Sequence, residues 1–222
     1  MKKAKVPEKA ALTRERVLRA ALAIADEKGI ESLSMRLLGR RLGVEAMSLY
    51  NHVANKEEIL DGILELVVGE IRIPPVGAEW RSAMKERAIS ARLAFIRHPW
   101  ASALMDSRVS SGPARLRYFD AMIGTLHGAG FSFELALRAF SVLDSYIYGF
   151  DRQRRNVASS DEKPAEKQAE ALRDILPNEV YPYLAQAAEL TMKNGYDEDA
   201  DFEFGLNLIL DGLESILKSI RG

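Results

Sequence analysis

Three observations predict an all-α protein. Apolar residues recur every three or four positions in nearly every segment, no stretch alternates apolar and polar residues as a strand would, and Gly, Pro and capping residues punctuate the chain at the spacing of short helices. The 222 residues suit a small N-terminal three-helix head of helix-turn-helix type on a larger C-terminal helical body. With 47% hydrophobic and 28% charged residues, the chain can bury a core and stay soluble.

The head comes first. Thr13 can cap a helix running to about Lys28, with Val17, Leu18, Ala21, Leu22 and Ala25 along one face, and Gly29 ends it. Ser34 caps a second helix that turns Met35, Leu38 and Leu42 inward and stops at Gly43, where the backbone must turn sharply and a residue without Cβ can take positive φ. A third helix, about Glu45 to His52, is pinned by Leu42, Val44, Leu49 and Val53. Its remaining faces carry Glu45, Ala46, Met47, Ser48, Tyr50, Asn51 and His52. A helix left polar on one side and flanked by Arg36, Arg40, Arg41 and Lys56 is shaped to lie against DNA.

Asn55-Lys56-Glu57-Glu58 reads as a capping box opening helix four, whose Ile59, Leu60, Ile63, Leu64, Val67 and Val68 run on until Pro74-Pro75. Arm and head therefore span residues 1–56, helix four (about 56–72) is the link, and residues 57–222 form the body. There, a fifth helix covers Glu79–Arg97 and breaks at His98-Pro99, and a sixth covers Trp100–Asp106. The seventh starts at Ser110-Ser111-Gly112-Pro113 and ends at Gly128-Ala129-Gly130, and the eighth runs from Ser132 to about Arg155. Asn156–Pro164 reads as a polar loop, Glu166–Ile175 and Asn178–Lys193 as further helices, and Ala200–Ile220 as a last amphipathic one.

Charge separates the two parts. Residues 1–56 carry 12 Lys/Arg against 6 Asp/Glu, a net +6, and residues 57–222 carry 19 against 26, a net −7. A basic head on an acidic body implies that only the head meets a polyanion. The absence of cysteine excludes disulfides and cysteine-bound zinc and fits a reducing cytoplasm. Val6-Pro7-Glu8-Lys9 stands where a signal peptide needs an apolar run, and Asp61, Glu65 and Glu70 interrupt Ile59–Ile71, so neither a leader nor a membrane span is expected. With three histidines and no metal-spaced cluster, the chain is expected to be neither an enzyme nor a carrier of a metal or cofactor.

Leu42-Gly43-Val44, Leu49-Tyr50-Asn51-His52-Val53 and Asn55-Lys56 together resemble the DNA-binding head of TetR-family transcriptional repressors over about residues 12–72. The body is similar, more weakly, to the tetracycline-repressor type of C-terminal domain. The cues there are Trp80, Arg97-His98-Pro99-Trp100, Gly130-Phe131-Ser132, Phe204-Gly205-Leu206 and Leu210-Asp211-Gly212-Leu213-Glu214. The resemblance implies a dimer that releases its operator when a small molecule enters the body.

The resemblance implies that Ala46, Met47, Ser48 and Asn51 touch bases or nearby phosphates, that Tyr50, His52 and Lys56 hold the backbone, and that Arg36 reads a base. Chemistry agrees, since the Ser48 and Tyr50 hydroxyls, the His52 ring and the Lys56 ammonium can donate to phosphate oxygens and an arginine can fork onto a guanine edge. Tyr50 can also serve as a strut inside the head, a role compatible with the phosphate contact. Ala46 replaces the glutamine and Met47 the proline of the tetracycline repressor, so the operator sequence does not carry over.

In the body, Trp100, Leu104, Met105, Phe119, Met122, Ile123 and Leu126 face Phe140, Leu143, Ile147 and Tyr148 across helices six to eight, either as plain core or as the wall of an effector pocket. Arg87, His98, Arg108, Asp144 and Tyr146 are its candidate polar groups. Asp144 is costly to bury unpaired and could instead meet a partner across a dimer interface. The tetracycline repressor binds magnesium through a histidine before helix seven. This chain has Ala103-Leu104-Met105-Asp106 there and no histidine between His98 and His127, which points to a purely organic effector.

In the last helix Phe202, Leu206, Ile209, Leu213, Ile216, Leu217 and Ile220 form an apolar stripe. Gly205 and Gly212 let another helix approach, so helix eight and the same pair from a second subunit should cover it. A two-fold dimer implies a palindromic operator with half-sites about one turn (~34 Å) apart or a multiple of it. The expected function is a ligand-responsive homodimeric repressor, with an activator or a nucleoid-type DNA-binding protein as the alternative.

Overall fold

The computed structural model describes residues 11–107, 112–157, 169–171, 175 and 180–221, and among them it contains helices and no strand. The helices are α1 (Arg14–Lys28), α2 (Met35–Leu42), α3 (Ala46–Leu49), α4 (Lys56–Val68), α5 (Trp80–Arg97), α6 (Ala101–Ser107), α7 (Pro113–Gly128), α8 (Phe133–Val157), α9 (Pro182–Asn194) and α10 (Glu198–Arg221), with a 3-10 turn at Ile30–Ser32. No helix among the described residues is long and apolar enough to cross a membrane.

The chain divides into two compact units. The first holds the residues up to Glu70 together with Arg97–Arg117, and the second holds Ile71–Ile96 and the residues from Tyr118 onward. In the first, Val17, Leu18, Ala21, Ile24 and Ala25 of α1 meet Leu38, Leu49, Val53 and the Ile59–Val68 face of α4 in one apolar core. Leu42 and Val44, expected as core pins, are only half-buried.

Caps set the helix ends as their residue types dictate. Thr13 Oγ1 accepts from Arg16 N at 3.2 Å, Ser34 Oγ from Leu37 N at 3.3 Å and Asn55 Oδ1 from Glu58 N at 2.8 Å. Helix three is shorter than expected. After Leu49 the amides of Tyr50, Asn51 and His52 bond three residues back, to Met47, Ser48 and Leu49, and the segment tightens into turns. Helix four also ends early: Gly69 closes it after Val68, five residues short of the Pro pair.

In the second unit α8 continues helically through Val157, beyond the expected loop start at Asn156. Pro182 opens α9, since a proline at the first helical position lacks only an amide that would be unbonded anyway. The helix expected over Glu166–Ile175 lies mostly outside the described residues, as do the N-terminal arm, Arg108 and Ser110-Ser111. Phe202, Leu206, Leu210, Leu213 and Leu217 of α10 are buried, and α10 packs on α8. Ile216 and Ile220, part of the stripe expected to be covered by helix eight and a second subunit, are exposed in the single chain, as are Phe204 and Leu208. Gly205 admits Tyr146 of α8, whose hydroxyl donates to the Phe202 carbonyl at 2.9 Å; Gly212 faces open space.

Candidate nucleic-acid interface and effector site

The turn between α2 and α3 sets the interface. Gly43 sits in the left-handed region (φ 67°, ψ 37°) and the Val44 amide bonds back to the Gly39 carbonyl at 3.0 Å, closing α2. At Gly39 a Cβ would stand 2.9 Å from Val44 O and 3.2 Å from Ala46 N, so only glycine lets the start of α3 lie this close. With Leu49 fully buried beneath it, α3 presents Met47 (75% exposed), and the following turn presents Tyr50 (46%) and Asn51. Tyr50 is thus a surface residue and no interior strut. Ala46, Ser48 and His52 are half-buried beside them.

The surrounding cations fall into two groups. Arg41 makes a forked pair with Glu27, 2.6 Å on each arm, and Arg14 pairs with Glu58 at 3.0 Å. Arg36 and Lys56 have no ion-pair partner among the described residues. They keep their charge available to an incoming anion, and Lys56 opens α4, whose N-terminal amides favour one too. The Glu58 carboxylate accepts from Ala54 N at 2.7 Å; that bond, and then Arg14, hold it below the usual carboxylate range. The Arg41 hydrogen bond likewise holds Glu27 low. These two pairs brace α1 against α2 and α4.

Four of the candidate polar residues, Arg87, His98, Asp144 and Tyr146, prove to be bonded inside one unit or the other. His98 and Trp100 belong to the first unit. His98 Nδ1 faces Asp26 Oδ1 at 2.8 Å, its Nε2 faces Glu70 Oε1 at 3.2 Å, and Trp100 Nε1 donates to Asp26 at 2.8 Å. Burial would raise the Glu70 carboxyl, but Arg97 and His98 together hold it low. Glu65 of α4 accepts from the Ala114 and Arg115 amides at 2.7 and 3.2 Å, capping α7 with a carboxylate. Leu104 and Met105 share this unit, the first half-buried and the second buried.

The second unit gathers the remaining described candidates. Arg87 is 1% exposed and bonds both Tyr118 and Asp144; Asp144 Oδ2 accepts from the Tyr148 hydroxyl at 3.0 Å. Asp144 therefore finds its counter-ion in its own chain, on α5. Phe119 meets Phe140 edge-on at 5.4 Å, and Phe95 meets Tyr148 at 5.6 Å. Met122 and Ile147 are buried, while Phe119, Ile123, Phe140 and Tyr148 keep partial access to solvent. Tyr146 packs on Phe202 at 5.4 Å, away from Arg87's partners, and burial pushes its hydroxyl up.

Sequence reasoning missed Asp26, Glu65 and Tyr118. Tyr118 was legible, because it stands four residues before Met122 and eight before Leu126 and so shares their buried face. Asp26 and Glu65 gave no local signal, since each is a helix-surface acid until a distant segment folds onto it.

Residues 17–63 match the family model described as bacterial regulatory proteins, tetR family, and residues 73–217 match that of the tetracyclin repressor-like C-terminal domain. The chain is 32% identical over 223 residues to the HTH-type transcriptional repressor DrrR1 of Streptomyces coeruleorubidus, covering 96% of this chain and 82% of that one. It is 30% identical to the class C tetracycline repressor protein of Escherichia coli, covering 92% of each. Among solved structures, ActR of Streptomyces coelicolor in complex with actinorhodin superposes with a TM-score of 0.78 at 30% identity, covering 94% of this chain and 99% of that one. The ActR complex with (S)-DNPA gives 0.77 at 30%, covering 93% and 98%. A glycine-tight helix-turn-helix with exposed Met47 and Tyr50, followed by a helical body, fits both family models in chain order, and the chain belongs to the TetR family of bacterial transcriptional regulators.

Proposed function

We propose that this chain is a ligand-responsive repressor that binds a palindromic operator as a homodimer and leaves it when a small organic effector enters the second unit. The head is residues 1–56, helix four is the link, and the body is residues 57–222. One observation carries the reading: α3 and its following turn expose Met47, Tyr50 and Asn51 over a buried Leu49, beside Arg36 and Lys56, which have no ion-pair partner among the described residues. Arg36, Ala46, Met47, Ser48 and Asn51 would meet base edges or nearby phosphates, with Met47 suited to a thymine methyl, and Tyr50, His52 and Lys56 would hold the phosphate backbone.

The regulatory half rests on two supports. DrrR1 is named a repressor, and ActR has been solved with two small organic molecules. The second unit also carries the aromatic and polar lining such molecules need, in Arg87, Phe119, Met122, Ile123, Phe140, Asp144, Ile147 and Tyr148. Two-fold pairing is supported by the exposed Leu137 and Val142 on α8 and Phe204, Leu208 and Ile216 on α10, apolar faces that a second copy would cover. The effector acts only if it binds one conformation better than the other, and α4 is the element whose tilt would move the head.

Footprinting on the DNA upstream of the chain's own gene tests this. The wild type should protect a palindrome, and Lys56→Ala should weaken binding broadly and reduce the salt slope by about 1. An unchanged slope removes Lys56 from the phosphate contacts. A reporter measured with and without the gene separates repression from activation.

A further inference from the structure

Asp26 and Glu27, neighbours near the end of α1, tie that helix to two different elements of the first unit. Glu27 forks onto Arg41 of α2, the helix that runs into the α3 turn. Asp26 instead meets the junction between α5 and α6, where its Oδ1 lies 2.8 Å from His98 Nδ1 and accepts from Trp100 Nε1 at 2.8 Å. The other ring nitrogen belongs to Glu70, just past α4. His98 Nε2 stands 3.2 Å from Glu70 Oε1, while Glu70 Oε2 accepts from Arg97 at 2.7 Å. His98 is 7% exposed, and a ring this buried depends on these two partners. A carboxylate can only accept, and a neutral imidazole can donate from one nitrogen alone. With an acceptor oxygen at each nitrogen, the ring satisfies both only as the imidazolium. The charges of Asp26, Glu70, Arg97 and His98 then cancel, and Trp100 adds a neutral donor. A neutral ring would instead turn a lone pair on one of the two carboxylates.

We propose that the His98 imidazolium is a positioning residue for operator binding: it straps α1 to the end of α4 and to the α5–α6 junction, so that operator affinity falls when rising pH takes a proton from the ring. The inference rests on the operator-binding reading above and adds a regulation of it. His98 acts on α3 at a distance, through Asp26, α1, Glu27 and Arg41 of α2. A head already fixed loses less freedom when it meets DNA, so slackening the strap weakens binding without removing any DNA contact. Histidine is the side chain whose ordinary titration falls between about pH 5 and 8. Glu70, held low by Arg97 and His98 against the effect of its own burial, stays an acceptor through that range.

Footprinting titrations of the full-length protein on the DNA upstream of its own gene, at about pH 6 and about pH 8.5 and one fixed salt concentration, read the effect. Over that interval the wild type should lose about ten-fold more affinity than either of two variants, the worth of one charge-assisted hydrogen bond. His98→Gln has no ring to titrate. Glu70→Gln keeps a carbonyl oxygen for Arg97 and turns its amide N–H toward Nε2, so a neutral His98 is satisfied there while Nδ1–H donates to Asp26. His52 and His127 are present in all three proteins, so their protonation cancels in the comparison. Helical melts show whether each variant folds, and where His98→Gln does not, Glu70→Gln carries the test. A wild-type affinity that is level between the two pH values, or a fall of equal size in Glu70→Gln, overturns the proposal and leaves the repressor reading standing. No protection by the wild type at either pH removes the repressor reading and the proposal together.

Discussion

Substituting alanine for Gly39 sets two known effects against each other in the turn that orients α3. Helix propensity favours alanine over a helical glycine by about 0.8–1 kcal/mol, which on its own would stabilise α2. Against it stands the backbone of the next element: a Cβ at Gly39 would sit 2.9 Å from Val44 O, 3.2 Å from Ala46 N and 3.3 Å from Ala46 Cα. Those atoms cannot rotate away as a side-chain end can, and the Val44 amide is tied to Gly39 O at 3.0 Å. Overpacking of this kind costs roughly 1–3 kcal/mol, and stretching the tie removes up to ~1 kcal/mol more, so the net change is a loss of about 1–2 kcal/mol. Gly124 provides the control, being an α7 glycine whose Cβ would meet nothing within 4 Å. Gly124→Ala should therefore stabilise by about 0.5–1 kcal/mol, opposite in sign. Urea unfolding followed by circular dichroism at one fixed protein concentration reads both changes. A Gly39→Ala protein as stable as the wild type, or more so, would refute the view that backbone proximity makes glycine necessary there.

Other perturbations test the bracing and the packing. Glu58→Ala removes the acceptor of the Ala54 amide and the partner of Arg14, and should cost about 1 kcal/mol at neutral pH. Because the folded carboxyl lies below its unfolded value near 4.3, the stabilisation is complete above that value and lost as pH falls through the folded one. The gap between wild type and variant should therefore narrow in urea melts below about pH 4.3. Gly205→Ala drives a Cβ onto the Tyr146 hydroxyl, with Tyr146 Cζ at 2.7 Å, and should destabilise by roughly 1–3 kcal/mol. Thermal melts of Gly205→Ala with and without Tyr146→Leu check this, since shortening Tyr146 should recover part of the loss.

Much of the first unit was legible in the chain because its signals are local. Thr13, Ser34 and Asn55 cap the helices that follow them, and Gly43 takes positive φ where a turn was expected. Each requirement is met within about four residues, so order along the chain suffices to read it. Periodicity also identified the apolar face of α4 and the helical character of the body. Periodicity was less informative in the third helix, where apolar and polar faces continue through His52 although the backbone tightens after Leu49.

Sequence alone determined the helical class, the order of the elements, the caps and the resemblance of Leu49 to Val53 to a DNA-reading segment. Tertiary structure alone decided the partners of charged groups. Arg41 went to Glu27, Arg14 to Glu58, His98 to Asp26 and Glu70, and Asp144 to Arg87, 57 residues away. Among the described residues it thereby left Arg36 and Lys56 without an ion-pair partner near the exposed face of α3, and Nε and Nη1 of Arg87 without an acceptor in the core. The physical reason lies in range. Caps and helical faces depend on neighbours a few residues apart, whereas a charge is satisfied by whatever oxygen the folded chain brings within about 3 Å.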